Sequence, residues 1–121
     1  MLSETIPETQ LGPKVVMDPE GSLSFHGKSM MEDASLYYQP CHKWIADYIV
    51  GVGKPLTVTM ELNYFNSSSA KQLLKLLMSI DESEIESKVI WIYPADNDVL
   101  LERGQEFEVM LNMPFEYQGK S

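Results

Sequence analysis

Residues 56–80 read LTVTMELNYFNSSSAKQLLKLLMSI: ten alternating residues, a serine triplet and a helical run. Leu56, Val58, Met60, Leu62 and Tyr64 fall on one face, with Thr57, Thr59, Glu61 and Asn63 on the other. That period of two belongs to a strand with one buried and one wet face. Beyond it, Ser69 and Gln72 stand in the S-x-x-Q relation of a capping box. The spacing predicts Ser69 as N-cap of a helix over about residues 70–80, with Gln72 returning a bond to the Ser69 N–H and with Ala70, Leu73, Leu74 and Leu77 buried. On that reading Ser67 lies two residues outside the helix, on a strand-to-helix corner, and its hydroxyl is not needed for capping. An exposed hydroxyl beside a helix N-terminus is where a phosphate is electrostatically welcome. The plainer reading is redundant capping and turn chemistry, for which Ser and Asn are favoured locally.

Upstream, residues 1–13 are polar, carry Pro7 and Pro13, and read as an extended arm. Val15 to Asp18, a Pro19-Glu20-Gly21 turn and Ser22 to Gly27 read as a β-hairpin. A helical stretch from about Asp33 to Val50 carries Tyr37, Cys41, Trp44, Ile45 and Tyr48 on one stripe. Pro40 either kinks it or opens the helix at its first position. Gly51 to Pro55 stops it.

Downstream, Asp81 to Glu86 is a charged connection, and Lys88 to Tyr93 (KVIWIY) is apolar on both faces, as an interior strand is. Asp96-Asn97-Asp98 offers caps for a third helix, on which Leu100, Gly104, Phe107 and Leu111 share a face. Gly104 inside a helix costs about 1 kcal/mol against Ala, which points to a close backbone contact. Pro114 to Tyr117 is a short extended ending. The chain thus reads as one α/β domain over 1–121 in the order β-β-α-β-α-β-α. It has a mixed four- to five-stranded sheet, helices mainly on one face, and a right-handed parallel crossover through the second helix.

The bulk numbers exclude several classes. A chain of 121 residues, 44% hydrophobic, suits one ordinary globular core. No apolar run nears the roughly 20 residues that cross a bilayer, and the first residues lack the basic and apolar regions of a secretory signal. One cysteine, Cys41, forms no internal pair and fits a reducing compartment, so the expectation is a cytoplasmic protein. The net charge of −9, without Lys or Arg clusters, argues against nucleic acid and against an anionic membrane surface.

Few residues offer other chemistry. His26 and His42 are the only imidazoles, and neither has partners at metal-ligand spacing, so no metal or cofactor is expected. Cys41 sits on the buried stripe and reads as a small core residue. The acidic run from Asp81 to Glu86 lacks a calcium-loop pattern. No serine lies in G-x-S-x-G, which leaves a small serine hydrolase as a weak alternative.

At the serine corner the sequence resembles two related families. The order of elements is similar to the STAS fold of anti-sigma factor antagonists, whose Asp-Ser-Ser-Gly corner carries a phosphorylated serine; here the corner is Asn66-Ser67-Ser68-Ser69-Ala70. More specifically, the chain resembles the SiaC family of bacterial regulatory phosphoproteins over nearly its whole length. Ile6 to Pro13 is similar to that family's I-x-x-T-x-x-T-P arm, and Leu62 to Lys71 to its L-x-Y-x-N-T-S-S-x-K corner. Trp91-Ile92-Tyr93, Gly104, Glu106-Phe107 and Pro114-Phe115 fall where the family has similar residues. Met30-Met31-Glu32-Asp33 departs from its Tyr-Pro-Glu-Asn.

The resemblance implies a STAS-like fold and a non-enzymatic protein phosphorylated on Ser67, where the family usually has Thr. It implies a dedicated kinase and a PP2C-type phosphatase, with Asn66, Ser67, Ser68 and Lys71 meeting the partner. The unphosphorylated form would activate a diguanylate cyclase, raising cyclic-di-GMP and promoting biofilm. The alternative is an anti-sigma factor antagonist in a partner-switching transcription pathway.

Overall fold

The computed structural model describes all 121 residues. Six strands form one sheet in sequence order: β1 (Glu4–Ile6), β2 (Lys14–Asp18), β3 (Ser22–Ser29), β4 (Leu56–Phe65), β5 (Ser87–Pro94) and β6 (Phe115–Lys120). β1 and β2, and β2 and β3, pair antiparallel. The pairs from β3 to β6 are parallel, linked by α1 (Ser35–Gly51), α2 (Ser67–Glu82) and α3 (Asp98–Glu108). Three successive right-handed crossovers that advance in one direction put all three helices on one face. The predicted hairpin, the parallel crossover and the mixed α/β class are borne out.

The strand count is six rather than four to five. β1 forms inside the expected arm, and β6 extends the expected short ending. Both are edge strands with polar, largely exposed residues, so neither carries a periodic apolar signal.

The long alternating strand also departs from prediction at its end. Gly27 pairs with Leu62 but Lys28 pairs with Tyr64, so Asn63 is an extra residue, a β-bulge. Beyond a one-residue insertion every side chain changes face. Tyr64, expected inside, is therefore 51% exposed, and Phe65 turns into the core.

α1 runs unbroken through Pro40 from a start at Ser35. Pro40 is exposed, and the carbonyl it leaves without a donor, that of Leu36, belongs to an exposed turn open to water. The buried stripe is Tyr38, Cys41, Trp44, Ile45 and Tyr48. Tyr37 sits half-buried against the arm, where its hydroxyl donates to the Pro13 carbonyl at 2.5 Å. α2 is longer than predicted at both ends; it buries Leu73, Leu76, Leu77 and Ile80, while Ala70 and Leu74 lie half-buried on its flank.

β5 is interior, with Val89 and Trp91 buried under the helices. The close contact expected at Gly104 is present: a Cβ there would meet the Trp91 indole at 2.8 Å. Trp91 packs edge-on against Phe65 and Phe107 and donates its Nε1–H to the Leu100 carbonyl at 3.0 Å. Asn97, the middle of the three candidate caps, caps α3 by accepting from the Leu100 N–H at 3.1 Å.

Candidate functional site: the corner between β4 and α2

The N-termini of the helices gather at the carboxyl ends of the parallel strands, the edge where open α/β sheets expose their functional loops. Asn66 ends β4 in an extended conformation and is the N-cap of α2. Its Oδ1 accepts from the Ser69 N–H at 2.9 Å, and its Nδ2 donates to the Met31 carbonyl at 2.8 Å. Its own N–H donates to the Ser29 carbonyl at 3.1 Å. One side chain thus starts the helix and ties it to the loop between β3 and α1.

The assignment of Ser69 as cap is therefore corrected. Ser69 is the third residue of α2 and is fully buried. Its hydroxyl donates to the Ser29 carbonyl at 3.0 Å and accepts from the Ser29 hydroxyl at 2.6 Å. Ser29 in turn meets the Tyr38 hydroxyl at 2.7 Å, giving a closed buried chain Tyr38–Ser29–Ser69. A hydroxyl captured by β3 is not available to cap its own helix. Gln72 does not return to the Ser69 N–H either; its Oε1 accepts from His42 Nε2 at 2.8 Å, across the contact between α1 and α2.

Ser68 Oγ accepts from the Ala34 N–H at 2.9 Å. Ala34 is the N-cap of α1 and offers no side-chain cap of its own, so Ser68 supplies that acceptor from the neighbouring helix. Ser67 is not outside α2, as expected, but is its first residue, because the cap lies one position earlier. It remains exposed, as does Lys71 one turn on. The first turn of α2 holds no acidic residue, so nothing offsets the positive end of its dipole. Near α1, Asp33 is held below the usual carboxylate range by hydrogen bonds from the Ser35 side chain and backbone.

Three exposed apolar side chains lie on the segments that meet at this edge, Tyr64 on the open face of the sheet beside Lys28. Met30 adjoins Ser29 and is 40% exposed, Leu36 in the first turn of α1 is 77% exposed, and Tyr64 is thrown outward by the bulge. Arg103, the only arginine in the chain, places its guanidinium carbon 4.2 Å from the centre of the Phe65 ring. Sequence reasoning assigned Arg103 and the Met31 carbonyl no role and placed Tyr64 on the buried face of the strand. Only the bulge had a local cue, the two adjacent polar-capable residues Asn63 and Tyr64 at the end of a strict alternation.

The other candidates lie elsewhere. His26 is on the open sheet face, 3.9 Å from Glu61, whose carboxylate binds Lys120 at 2.7 Å. Neither histidine hydrogen-bonds to a serine: His42 is held by Gln72. Cys41 is fully buried, and burial pushes its thiol up to about 12, so it stays neutral and inert. Asp81 accepts from the Asn112 N–H at 2.9 Å and fastens the end of α2 to the segment before β6.

The fold and corner define a small mixed α/β domain with three helices on a six-stranded sheet and a serine-rich helix head at its carboxyl edge. The sequence pattern of the SiaC family regulatory phosphoproteins matches residues 6–120, and the chain belongs to that family. It is 27% identical over 118 residues to an uncharacterised protein of Pseudomonas aeruginosa strain UCBPP-PA14, covering 94% of each chain. The crystal structure of apo-SiaC from Pseudomonas aeruginosa superposes with a TM-score of 0.90 at 27% identity, over 98% of this chain and 100% of that one. SiaC of the same organism in complex with the diguanylate cyclase SiaD, which it activates, superposes with a TM-score of 0.91 at 26% identity, over 97% and 99%.

Proposed function

We propose that this protein is a non-enzymatic bacterial signalling switch whose face around Ser67 binds and activates a diguanylate cyclase, and that phosphorylation of Ser67 releases it. A dedicated kinase transfers the γ-phosphoryl group of ATP to Ser67 Oγ, which loses its proton, and a PP2C-type phosphatase hydrolyses the ester. The observation that carries the reading is an exposed serine as the first residue of α2, at a sheet edge whose segments also carry exposed apolar side chains, in a family with a member solved on a diguanylate cyclase. A cytoplasmic location, beside ATP and GTP, is what this chemistry requires of the switch.

The physical case is a competition for solvation. A phosphate adds about −1.5 to −2 charge and three acceptor oxygens. The head of α2 and Lys71 accommodate it in the free protein, whereas a partner packed on Met30, Leu36 and Tyr64 would have to desolvate it without matched cations. A penalty of about 1–3 kcal/mol lowers affinity roughly 5- to 150-fold, enough for a switch without refolding. Asn66, Ser68 and Lys71 complete the partner face: the first two hold the corner in shape, and Lys71 projects from it.

Isothermal titration of the cognate cyclase with unmodified and kinase-phosphorylated protein tests this. Tight binding and cyclase activation by the unmodified form alone are expected. Equal affinity of both forms would overturn the off-switch.

A further inference from the structure

We infer that Arg103 of α3 is the phosphate-capturing residue of the switch: its guanidinium receives the phosphoryl group on Ser67 and clasps α3 to the head of α2. The inference rests on phosphorylation at Ser67 and specifies what holds the phosphate there.

Direction comes first. Successive residues of an α-helix turn by about 100°. Ser68 and Gln72 point towards α1, as their bonds to Ala34 and His42 show, and Ser69 points down into the sheet. By that rotation Ser67 stands about 160° from Ser69, pointing away from the sheet with exposed Lys71 and bordering the half-buried flank of Ala70 and Leu74, which looks towards α3. Strand order agrees: α1 links β3 to β4, α2 links β4 to β5, and α3 links β5 to β6, so α3 lies on the side of α2 away from α1.

Position comes next. Arg103 lies on α3 above Phe65, the residue immediately before the cap Asn66. The same ring contacts Phe107, one turn further along α3, at 5.9 Å between centroids. Since α3 starts at the carboxyl edge of the sheet, Arg103 is the member of that pair nearer the corner.

Preparation is the third argument. Arg103 takes part in none of the protein's four ion pairs, although Glu102 and Glu106 flank it in sequence. A guanidinium uses its face against a ring and its edge for hydrogen bonds, so it can stay on Phe65 while gripping phosphate oxygens in a fork. The stacking holds the cation in place before the phosphate arrives. Lysine at this position would carry the charge without the planar fork.

The test uses full-length protein with phosphoserine genetically encoded at position 67, made as wild type, Arg103→Gln and Arg103→Lys. The readout is the second ionisation of the phosphoserine, followed by 31P NMR against pH. Lys71 and the head of α2 act on the phosphate in every variant, as do Glu102 and Glu106, so the difference between variants isolates Arg103. Removing an adjacent cation should raise the phosphoserine pKa by about one unit in Arg103→Gln, with Arg103→Lys in between. Phosphorylation should also raise the melting temperature of wild type more than that of Arg103→Gln. Identical titration curves in wild type and Arg103→Gln would overturn the inference. Should Arg103→Gln not fold, wild type against Arg103→Lys decides it, with coincident curves refuting. Partner affinity is not read here, so a failed clasp leaves the switch standing, and a failed switch shows only in the titration with the cyclase.

Discussion

Replacing Asn66 by Ala should be among the most damaging single changes at the corner, although the residue is only half-buried. Two side-chain bonds are lost. Loss of the cap on the Ser69 N–H costs about 0.5–2 kcal/mol. Loss of the bond to the Met31 carbonyl costs about 0.5–1.5 kcal/mol. Together Asn66→Ala should destabilise by roughly 1–3.5 kcal/mol, which for a domain of this size lowers the melting temperature by about 4–14 °C. Asn66→Ser separates the two roles, because a hydroxyl still accepts from the helix head but does not reach the Met31 carbonyl. It should lose only the tether, about 0.5–1.5 kcal/mol. Urea melts followed by far-UV circular dichroism give both values. If Asn66→Ser is as unstable as Asn66→Ala, or if Asn66→Ala lies within about 0.5 kcal/mol of wild type, the double role assigned to Asn66 is wrong.

Three further outcomes are expected. Ser69→Ala removes the hydroxyl at the end of the buried Tyr38–Ser29–Ser69 chain and should cost about 1–3 kcal/mol, while Ser67→Ala on the exposed flank should stay within about 0.5 kcal/mol; equal losses in urea melts would contradict the placement of the two serines. Gly104→Ala gains about 1 kcal/mol of helix propensity but drives a Cβ to 2.8 Å from an indole packed among Phe65, Phe107 and Phe115. Overpacking of about 1–3 kcal/mol should win, and a higher melting temperature in this variant would refute the contact. Cys41 has its thiol raised by burial from 9.0 up to about 12. The unfolded chain therefore loses this proton first, and stability present below about pH 9 is lost as pH rises towards 12, at up to about 1.4 kcal/mol per unit. Cys41→Ala should show a shallower decline by about 1 kcal/mol between pH 8.5 and 10; parallel declines in the two proteins would show that the thiol is not shifted.

The local patterns of the chain were sufficient for much of this protein. Alternation in residues 56–62 determined a strand with one buried face, and helical spacing of Trp44, Ile45 and Tyr48 determined the buried side of α1. A glycine in the middle of α3 announced the contact with Trp91, because only a close approach justifies its conformational cost. These features depend on neighbours within a turn or two, and the sequence lists those neighbours directly. Tertiary structure decided the rest of the corner. The bulge that exposes Tyr64 exists only because β4 pairs with β3 in a shifted register. Ser69 and Asn66 were both competent caps, and the choice fell to Asn66 because Ser29, 40 residues away, captures the Ser69 hydroxyl. Arg103 meets Phe65 through an aromatic cluster that draws on β4, β5 and α3 together. Hydrogen bonds and ring contacts between distant segments form only after the strands have chosen their order, so no periodicity within one segment encodes them.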